Sequence, residues 1–408
     1  MASDLVMRWI FLLGLWLVAE IGGFYGLRRI GLWRRWMGWI TPLTFGAMVV
    51  IFLFTRSISL SPLAYGQLQY IGGIFFMVWL MLLLGKLVGG LWGLLSNLPL
   101  REREVREFSP GRRAALQMIG GMLMSAPAAG LGYGFWIGRY RFRMEEIEIG
   151  IPTLPPSWDG TLILHFSDLH AGSFSSPHIL HPVWEKVKMV APHLIVFTGD
   201  WVNTFAEELE PFLPDLHQLS APLGKWTVLG NHDYGDYIPG ATPEEKAEER
   251  AKLRFFLHEA GFSLLENDAV LLEKAGERIA LVGVGNWSYW RRFRRYGDLR
   301  QAWQKVPPGI CSLLLSHDPT HWEYEVCGKY PIPLTLSGHT HGLQMGVEGA
   351  GWRFSPAQWL YTYWAGLYQV GQQYLYVNRG LGCVGLPARL GIWPEITLLR
   401  LRCSSDSV

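Results

Sequence analysis

The chain has 408 residues, a length typical of two or three domains, and a formal net charge of +2. Because positive and negative side chains almost balance, the composition excludes the strongly basic surface with which nucleic-acid-binding proteins hold phosphate backbones. Half of the residues are hydrophobic and only 17% are charged, which is an unusually apolar composition for a soluble protein. The apolar excess lies before about residue 140, and the remainder has the composition of an ordinary globular domain.

Four apolar stretches in the first part of the chain are each long enough to cross about 30 Å of hydrocarbon as a helix. Tryptophan and tyrosine lie at their ends, as in the interfacial belts of membrane proteins. We therefore predict a transmembrane domain over residues 1–140, followed by a linker over residues 141–160. The four predicted spans are Trp9–Leu27, Trp36–Phe54, Tyr70–Leu95 and Ala114–Ile137.

Loop arginines predict the orientation of these spans. Nine lie in the first and third loops, whereas the other side carries Arg56 and a short group around Arg141. Because Lys and Arg accumulate on the cytoplasmic side, the chain is predicted to be a multi-pass inner-membrane protein whose later residues lie on the extracytoplasmic side. The nine arginines are Arg28, Arg29, Arg34, Arg35, Arg101, Arg103, Arg106, Arg112 and Arg113.

Beyond residue 145, short apolar strands alternate with helical stretches, which is the pattern of an α/β domain. Helices are predicted over Pro177–Met189 and Pro243–Ala260, the second with a capping box formed by Thr242 and Glu245. The predicted strands are Leu162–Phe166, Leu194–Thr198, Trp226–Leu229, Ile279–Val284, Ser312–Leu315, Leu334–Leu336, Leu375–Val377 and Ile396–Leu401.

Acids, an amide and imidazoles directly follow five of these strands, in the motifs FSDLH, FTGD, LGNHD, LLSHDP and SGHTHG. Because the carboxyl ends of strands in an α/β layer meet at one rim, these side chains are expected to converge. Seven oxygen and nitrogen donors exceed the tetrahedral shell of one ion, and two octahedral ions that share a carboxylate fit better. The seven donors are Asp168, His170, Asp200, Asn231, His317, His339 and His341.

In this order the blocks D-x-H, G-D, G-N-H-D, a lone H and G-H-x-H resemble those of the calcineurin-like metallophosphoesterase superfamily. The resemblance covers about Thr161 to Arg402, and the segment YVNRGLG…PEITLLRL is similar to the membrane-associated bacterial branch. It implies a catalytic domain over residues 161–408, built as a four-layer α-β-β-α sandwich behind the α-helical transmembrane domain. It also implies one ion held by Asp168, His170, His341 and Asp200, and a second held by Asp200, Asn231, His317 and His339.

The resemblance further implies hydrolysis of a phosphate ester by metal-activated hydroxide. His232 is then expected to protonate the leaving oxygen or stabilise its charge, with Asp233 orienting the ring by accepting a hydrogen bond from its other nitrogen. Arg379 is expected either to bind a substrate phosphate or to fix its own loop. The two divalent ions remain open between Mn, Fe, Zn and Mg, all of which suit these donors.

Two stretches are unusually rich in aromatic residues. In Gly285–Gly297 the aromatics alternate with arginines, and Trp352–Tyr368 consists largely of tryptophan and tyrosine. Trp, Tyr and Arg suit the headgroup layer of a bilayer, so these loops are predicted to dock the catalytic rim onto membrane lipids. Partial burial within the protein is the alternative. The chain departs from the family pattern at two places: Leu343 stands where close relatives often have a second glycine, and no acidic pair follows VGVGNWSYW. Because both places lie where substrate would be recognised, the resemblance does not identify the substrate.

Three functions follow as hypotheses. The first is a membrane-anchored phosphoesterase that cleaves a phosphodiester or pyrophosphate bond, with a lipid-linked or small phosphoester as substrate. The second is a UDP-2,3-diacylglucosamine diphosphatase of lipid A synthesis, whose substrate is cytosolic. The third is a membrane transport or sensory protein with a regulatory phosphoesterase module, which rests on the charged Glu20 and Lys86 inside predicted spans.

Overall fold

The computed structural model describes residues 2–29, 31–57, 61–96, 110–349 and 352–403. The chain divides into two compact units. The first comprises Met1–Trp136 with Gly385–Ala388, and the second comprises Ile137–Val384 with Arg389–Val408. The predicted loop arginines Arg101, Arg103 and Arg106 lie outside the described residues.

The first unit is built from long helices at the positions of the predicted spans. Within the described residues, two helical segments are long and apolar enough to cross a membrane, Ala64–Leu95 and Ala114–Tyr140, whereas the apolar part of the second helix, Met37–Ile51, is shorter. Length and hydropathy therefore support membrane association, and they single out the third and fourth helices. The helices are α1 (Ala2–Arg29), α2 (Met37–Ser57), α3 (Pro62–Leu95) and α4 (Pro110–Trp136).

Glycines allow α1 and α3 to approach closely. A Cβ atom on Gly26 would overlap the carbonyl of Gly90, and one on Gly93 would overlap the carbonyl of Gly26. Close backbone contact through small residues is the packing that stabilises helix pairs in lipid, where burial of apolar side chains gives no net gain.

An ion pair joins three helices inside the first unit. The Lys86 ammonium of α3 lies 2.6 Å from Glu20 Oε1 of α1 and donates to Thr41 Oγ1 of α2 at 2.8 Å. The Thr41 hydroxyl also donates to the same Glu20 oxygen. Glu20 and Lys86, the two charged side chains predicted inside membrane spans, therefore form an ion pair with each other.

The second unit contains two six-stranded mixed sheets and a short hairpin. The first sheet runs in the order β1 (Arg143–Gly150), β14 (Glu395–Arg402), β2 (Leu162–Phe166), β3 (Leu194–Phe197), β4 (Lys225–Thr227) and β5 (Ser263–Leu264). The second sheet runs in the order β12 (Gly366–Val370), β13 (Gln373–Val377), β9 (Leu334–Ser337), β8 (Ser312–Leu315), β7 (Glu277–Gly283) and β6 (Asp268–Lys274). The hairpin pairs β10 (Val347–Gly349) with β11 (Trp352–Phe354).

Alternation along the strands produces separate apolar layers. Ile163 of β2 belongs to a buried cluster shared with β8 and β9, whereas its neighbour Leu164 belongs to a cluster formed with helices. Successive strand side chains point to opposite faces, so one face of each sheet meets the other sheet and the opposite face is covered by helices or loops. The helices of this unit are α5 (His181–Val190), α6 (Leu213–Gln218), α7 (Pro243–Glu259), α8 (Leu299–Trp303) and α9 (Pro319–His321).

Most differences from the predicted elements lie at sheet edges. Residues 141–160, expected to form a linker, contain β1, which pairs in parallel with β14 from Arg143 to Gly150. Glutamate alternates with isoleucine in this strand because only one of its faces is buried. Its charged residues therefore interrupt the apolar run by which the other strands were predicted. The helix predicted over Pro177–Met189 begins with a 3-10 turn before α5, and the capping box of Thr242 and Glu245 is present.

Candidate metal centre

The two sheets bring the predicted donors together at one edge. Asp168 and His170 follow β2, Asp200 follows β3 and Asn231 follows β4, all in the parallel part of the first sheet. His317 follows β8, and His339 and His341 follow β9, which are parallel neighbours in the second sheet. Parallel strands end at a common edge, so both sheets deliver their donors to the same place.

Three of the donors form a first cluster. Asp168, His170 and His341 are all buried, and their ligand atoms lie close enough together to hold one metal ion. The Nε2 atoms of His170 and His341 are 3.1 Å apart, and Asp168 Oδ1 lies 3.2 Å from His341 Nε2. The Asp168 carboxylate also accepts the backbone N–H of His339 at 3.0 Å, which fixes its direction.

A second cluster lies beside the first and shares a residue with it. His317 Nε2 is 3.2 Å from His339 Nδ1 and 3.1 Å from Asp200 Oδ2, and these three residues could hold one ion. The same Asp200 oxygen lies 3.6 Å from His170 Nε2 of the first cluster. Asp200 therefore stands between the two groups of donors.

Strained backbone conformations hold these side chains. Asp168, His170, Asp200, His339 and His341 all have positive φ, between 43° and 73°. A non-glycine residue rarely adopts this left-handed region, and such strain of about 1–3 kcal/mol per residue persists only where the surroundings enforce it. Gly338 is part of that enforcement, because a Cβ atom there would overlap Ser167 and Asp168.

The electrostatics favour the metal-binding protonation state of Asp200, His339 and His341, but not that of His317. Burial raises the pKa of Asp200, but the charge of His317 outweighs it and holds this pKa well below the usual range. Burial lowers the pKa of His317, yet the Asp200 carboxylate raises it to about 10. Burial lowers the pKa of His339 to about 4 and lowers that of His341. Of these histidines, only His317 would have to release a proton on binding a metal.

An unpaired oxygen completes the fit to a divalent cation. Asn231 donates from Nδ2 to Tyr237 Oη at 2.8 Å, whereas its buried Oδ1 has no hydrogen-bond partner in the part of the chain that the structure describes. Buried polar atoms are almost always paired, and a free amide oxygen beside clustered carboxylates and imidazoles is a suitable ligand for a hard or borderline cation. The residues present therefore fit divalent metal ions.

His232 is half-buried, whereas the three donors of the first cluster are fully buried. Its ring contacts that of His170 edge to face, with centroids 4.8 Å apart, and its Nδ1 lies 2.7 Å from the carbonyl oxygen of Asn203. A carbonyl can only accept, so Nδ1 carries the proton and Nε2 is left without one in the neutral ring. His232 also falls within ligand distance of His170 and Asp200.

Asp233 does not orient His232 as expected. Its carboxylate instead accepts the backbone N–H groups of Gly230, Asp200 and Trp201, at 2.8 Å each. Burial and the neighbouring charge of Asp200 raise the pKa of Asp233 to about 8. Asp233 thus ties the loop after β4 to the loop after β3, and the Asn203 carbonyl takes the orienting role.

Arg379 is engaged with two carboxylates. It contacts Glu395 through Nη1 and Glu348 through Nη2 at 2.8 Å. These pairs correspond to the loop-fixing alternative, and they leave the guanidinium little capacity for a substrate phosphate.

Four further residues contact the donors without having stood out in the sequence. Asp318 Oδ2 is 3.3 Å and Tyr361 Oη is 3.1 Å from His339 Nε2. Arg389, fully buried, places Nη2 3.1 Å from His341 Nδ1, and Tyr237 lies against His232. Asp318 directly follows a predicted donor, which was the one available signal. Tyr361 and Arg389 lie on loops, 22 and 48 residues from their partners in the sequence, whereas Tyr237 is only six residues from Asn231.

Comparisons with known proteins indicate the family of the chain. The family model of the calcineurin-like phosphoesterases matches residues 161–343, a segment that contains all seven donors. An uncharacterized metallophosphoesterase of Bacillus subtilis, YkuE, is 31% identical over 298 residues, which cover 71% of this chain and 96% of that protein.

Two further relatives associate the same domain with lipid or membrane. The UDP-2,3-diacylglucosamine pyrophosphatase LpxG of Chlamydia muridarum is 29% identical over 284 residues, covering 59% of this chain and 83% of that protein. A transmembrane protein with metallophosphoesterase domain from Bos taurus is 28% identical over 271 residues, covering 64% of this chain and 57% of that protein.

Proposed function

The chain belongs to the calcineurin-like metallophosphoesterases, and from this premise we propose that it hydrolyses a phosphodiester or pyrophosphate bond of a lipid-linked substrate with two divalent ions. The observation that carries the proposal is the position of Asp200, whose Oδ2 lies 3.1 Å from His317 and 3.6 Å from His170. A carboxylate between two groups of donors is the arrangement that a pair of ions requires.

The proposed ligand sets follow the two clusters. When bound, the ions would supply a nucleophile from water and neutralise charge on the phosphoryl oxygens. The chain's own residues set where this happens, since strained backbone at five of the donors keeps their side chains converged. One ion would be held by Asp168, His170, His341 and Asp200, and the other by Asp200, Asn231, His317 and His339.

His232 is the proposed proton donor to the leaving oxygen. The Asn203 carbonyl holds Nδ1–H, so Nε2 is the atom that can carry a proton to and from the substrate. The half-buried position of His232 allows contact with a substrate entering from solvent.

We place the protein in the membrane through four spans, with the catalytic unit on the extracytoplasmic side. The argument is the arginine distribution, together with the outward-facing apolar side chains of the first unit, such as Leu17 in α1, Leu43 in α2, Leu91 in α3 and Met122 in α4. A phosphatase reporter fused after Val408 tests the orientation, because it is active only outside the cytoplasm.

An exposed aromatic rim is the proposed contact with lipid. Trp352, Phe354, Trp359 and Leu360 are all exposed. Trp359 lies two residues before Tyr361, whose Oη is 3.1 Å from His339 Nε2. Replacing Trp352 and Trp359 by serine should lower activity on a lipid substrate in vesicles more than activity on a soluble aryl phosphodiester. Equal losses on both substrates would contradict a docking role.

The second candidate is a pyrophosphatase acting on UDP-2,3-diacylglucosamine, favoured by the 29% identity to the chlamydial enzyme over most of that protein's length. Its substrate is cytosolic, so a reporter inactive after Val408 would support it. An active reporter would leave extracytoplasmic lipid phosphates as the substrate class.

The direct test is metal content and turnover of the full chain in detergent. Purified with manganese, iron, zinc or magnesium, the protein should bind two ions per chain and hydrolyse bis(p-nitrophenyl) phosphate. Asp200→Asn should reduce both the bound metal and the turnover, because this carboxylate serves both ions. A protein that binds no divalent metal stoichiometrically would refute the proposal.

A further inference from the structure

Arg292, a cationic side chain beside the metal centre, has no anionic partner among the residues that the structure describes. Arg292, in the loop Gly285–Gly297, is exposed, and its Nη2 donates to Tyr361 Oη at 3.4 Å. Its guanidinium carbon lies 4.6 Å from the centroid of the Phe293 ring. Among the ion pairs of the described residues, none includes Arg292.

Both side chains that touch this guanidinium also touch a proposed metal ligand. Tyr361 Oη lies 3.1 Å from His339 Nε2, and the Phe293 ring meets the His339 ring edge to face at 4.8 Å. Arg292 is thus one side chain away from the cluster that contains His317 and His339. Its charge also acts on Tyr237, which stacks on His232: burial raises the pKa of Tyr237, and Arg292 acts in the opposite direction.

The neighbouring arginines are placed differently. Arg295 donates from Nε to the Ser288 carbonyl at 2.7 Å and lies 4.2 Å over the Trp287 ring, so it is held by its own loop. Arg294 lies 5.6 Å over Tyr296. Of these three, Arg292 is the one whose contacts lead to the metal centre.

We propose that Arg292 binds the phosphate adjacent to the one held at the metal centre, so that the preferred substrate is a diphosphate diester. The inference rests on the proposed hydrolase function and narrows its substrate class. An unpaired guanidinium at a rim is suited to two parallel hydrogen bonds with phosphate oxygens. Tyr361 and Phe293 limit its freedom, which reduces the entropy lost on binding.

The reaction explains why a cation is useful at this position. Hydrolysis forms a P–O bond between water oxygen and one phosphorus, and it breaks the bond from that phosphorus to the bridging oxygen. The bridging oxygen leaves on the second phosphate, which gains negative charge or takes up the proton released by water. Arg292 would stabilise this leaving phosphate, whereas a single phosphodiester has no group to occupy the site.

Inorganic phosphate and pyrophosphate distinguish the two subsites. Their binding to the metal-loaded full chain would be measured by calorimetry and as inhibition of bis(p-nitrophenyl) phosphate hydrolysis. Arg292→Ala should weaken pyrophosphate binding about tenfold or more, as loss of a charge-assisted hydrogen bond does, and should weaken phosphate binding much less. Arg292→Lys should give an intermediate loss, and the exposed Arg291→Ala is the matched control that should change neither.

The outcomes separate this inference from the proposed function. Equal weakening of phosphate and pyrophosphate would overturn it, because Arg292 would then act on the metal-held phosphate or through His339. Unchanged pyrophosphate binding would overturn it as well. If the wild-type chain failed to hydrolyse any phosphoester, the proposed function would fail, while the calorimetric comparison would still decide the role of Arg292.

Discussion

The phenol ring of Tyr237 stacks on the imidazole of His232, with centroids 4.0 Å apart and 5° between the ring planes. The same tyrosine accepts a hydrogen bond from Asn231 Nδ2 at 2.8 Å, which turns Asn231 Oδ1 away as the free oxygen. A single residue on the loop after β4 therefore positions both the proposed proton donor and a proposed metal ligand. Its two contacts can be separated by mutation.

Tyr237→Phe should retain the stacking and lose the hydrogen bond, whereas Tyr237→Ala loses both. We expect a loss in kcat of about fivefold for the phenylalanine variant, and of about 10- to 100-fold for the alanine variant, because a displaced His232 no longer meets the leaving oxygen. Steady-state kinetics on bis(p-nitrophenyl) phosphate measure both. Identical losses in the two variants would assign the whole effect to the hydrogen bond and contradict the stacking role.

His232→Asn should lower kcat by about 10²- to 10⁴-fold, the usual contribution of general acid catalysis. Divalent metal content, measured by plasma mass spectrometry, should stay at the wild-type value. If the variant lost metal together with activity, His232 would be a ligand, consistent with its distance from Asp200. A substrate with a good leaving group should be affected less than one with a poor leaving group.

Metal binding at pH 7 should release about one proton per chain. His317, with its pKa raised to about 10, is protonated in the metal-free protein at this pH, and a ligand imidazole must be neutral. Apparent metal affinity should therefore rise as the pH increases toward 10. Calorimetry in buffers of different ionisation enthalpy measures the proton release. A binding enthalpy that did not depend on the buffer would contradict the Asp200–His317 ion pair.

Lys86→Met should destabilise the membrane unit strongly, because it leaves Glu20 without its cation among apolar helices. Breaking one side of a buried pair costs about 3–5 kcal/mol, whereas replacing both partners by apolar residues is often neutral. The double variant Glu20→Leu/Lys86→Met should therefore unfold in detergent at a higher temperature than the single variant. If the stable double variant lost phosphoesterase activity, the ion pair would have a functional role instead.

The residue pattern was sufficient to predict several features because they depend on local sequence. Continuous or alternating apolar runs predicted β2, β3, β8 and β9 nearly to the residue, and donors placed directly after those runs had to meet at the carboxyl edge of a parallel sheet. The capping box before α7 is equally local, since its two partners are three positions apart. The order of the motifs also indicated the family.

Only the tertiary structure decided which side chains form hydrogen bonds with the histidines of the site. Tyr361, Arg389 and Asn203 reach their histidines from loops whose paths depend on how the two sheets stack, and no periodicity records such paths. For the same reason the sequence misassigned Asp233, whose carboxylate accepts the backbone N–H groups of Asp200 and Trp201, which come within reach only after β3 and β4 have paired. Long-range contacts of this kind follow from packing, whereas the donors themselves follow from strand register.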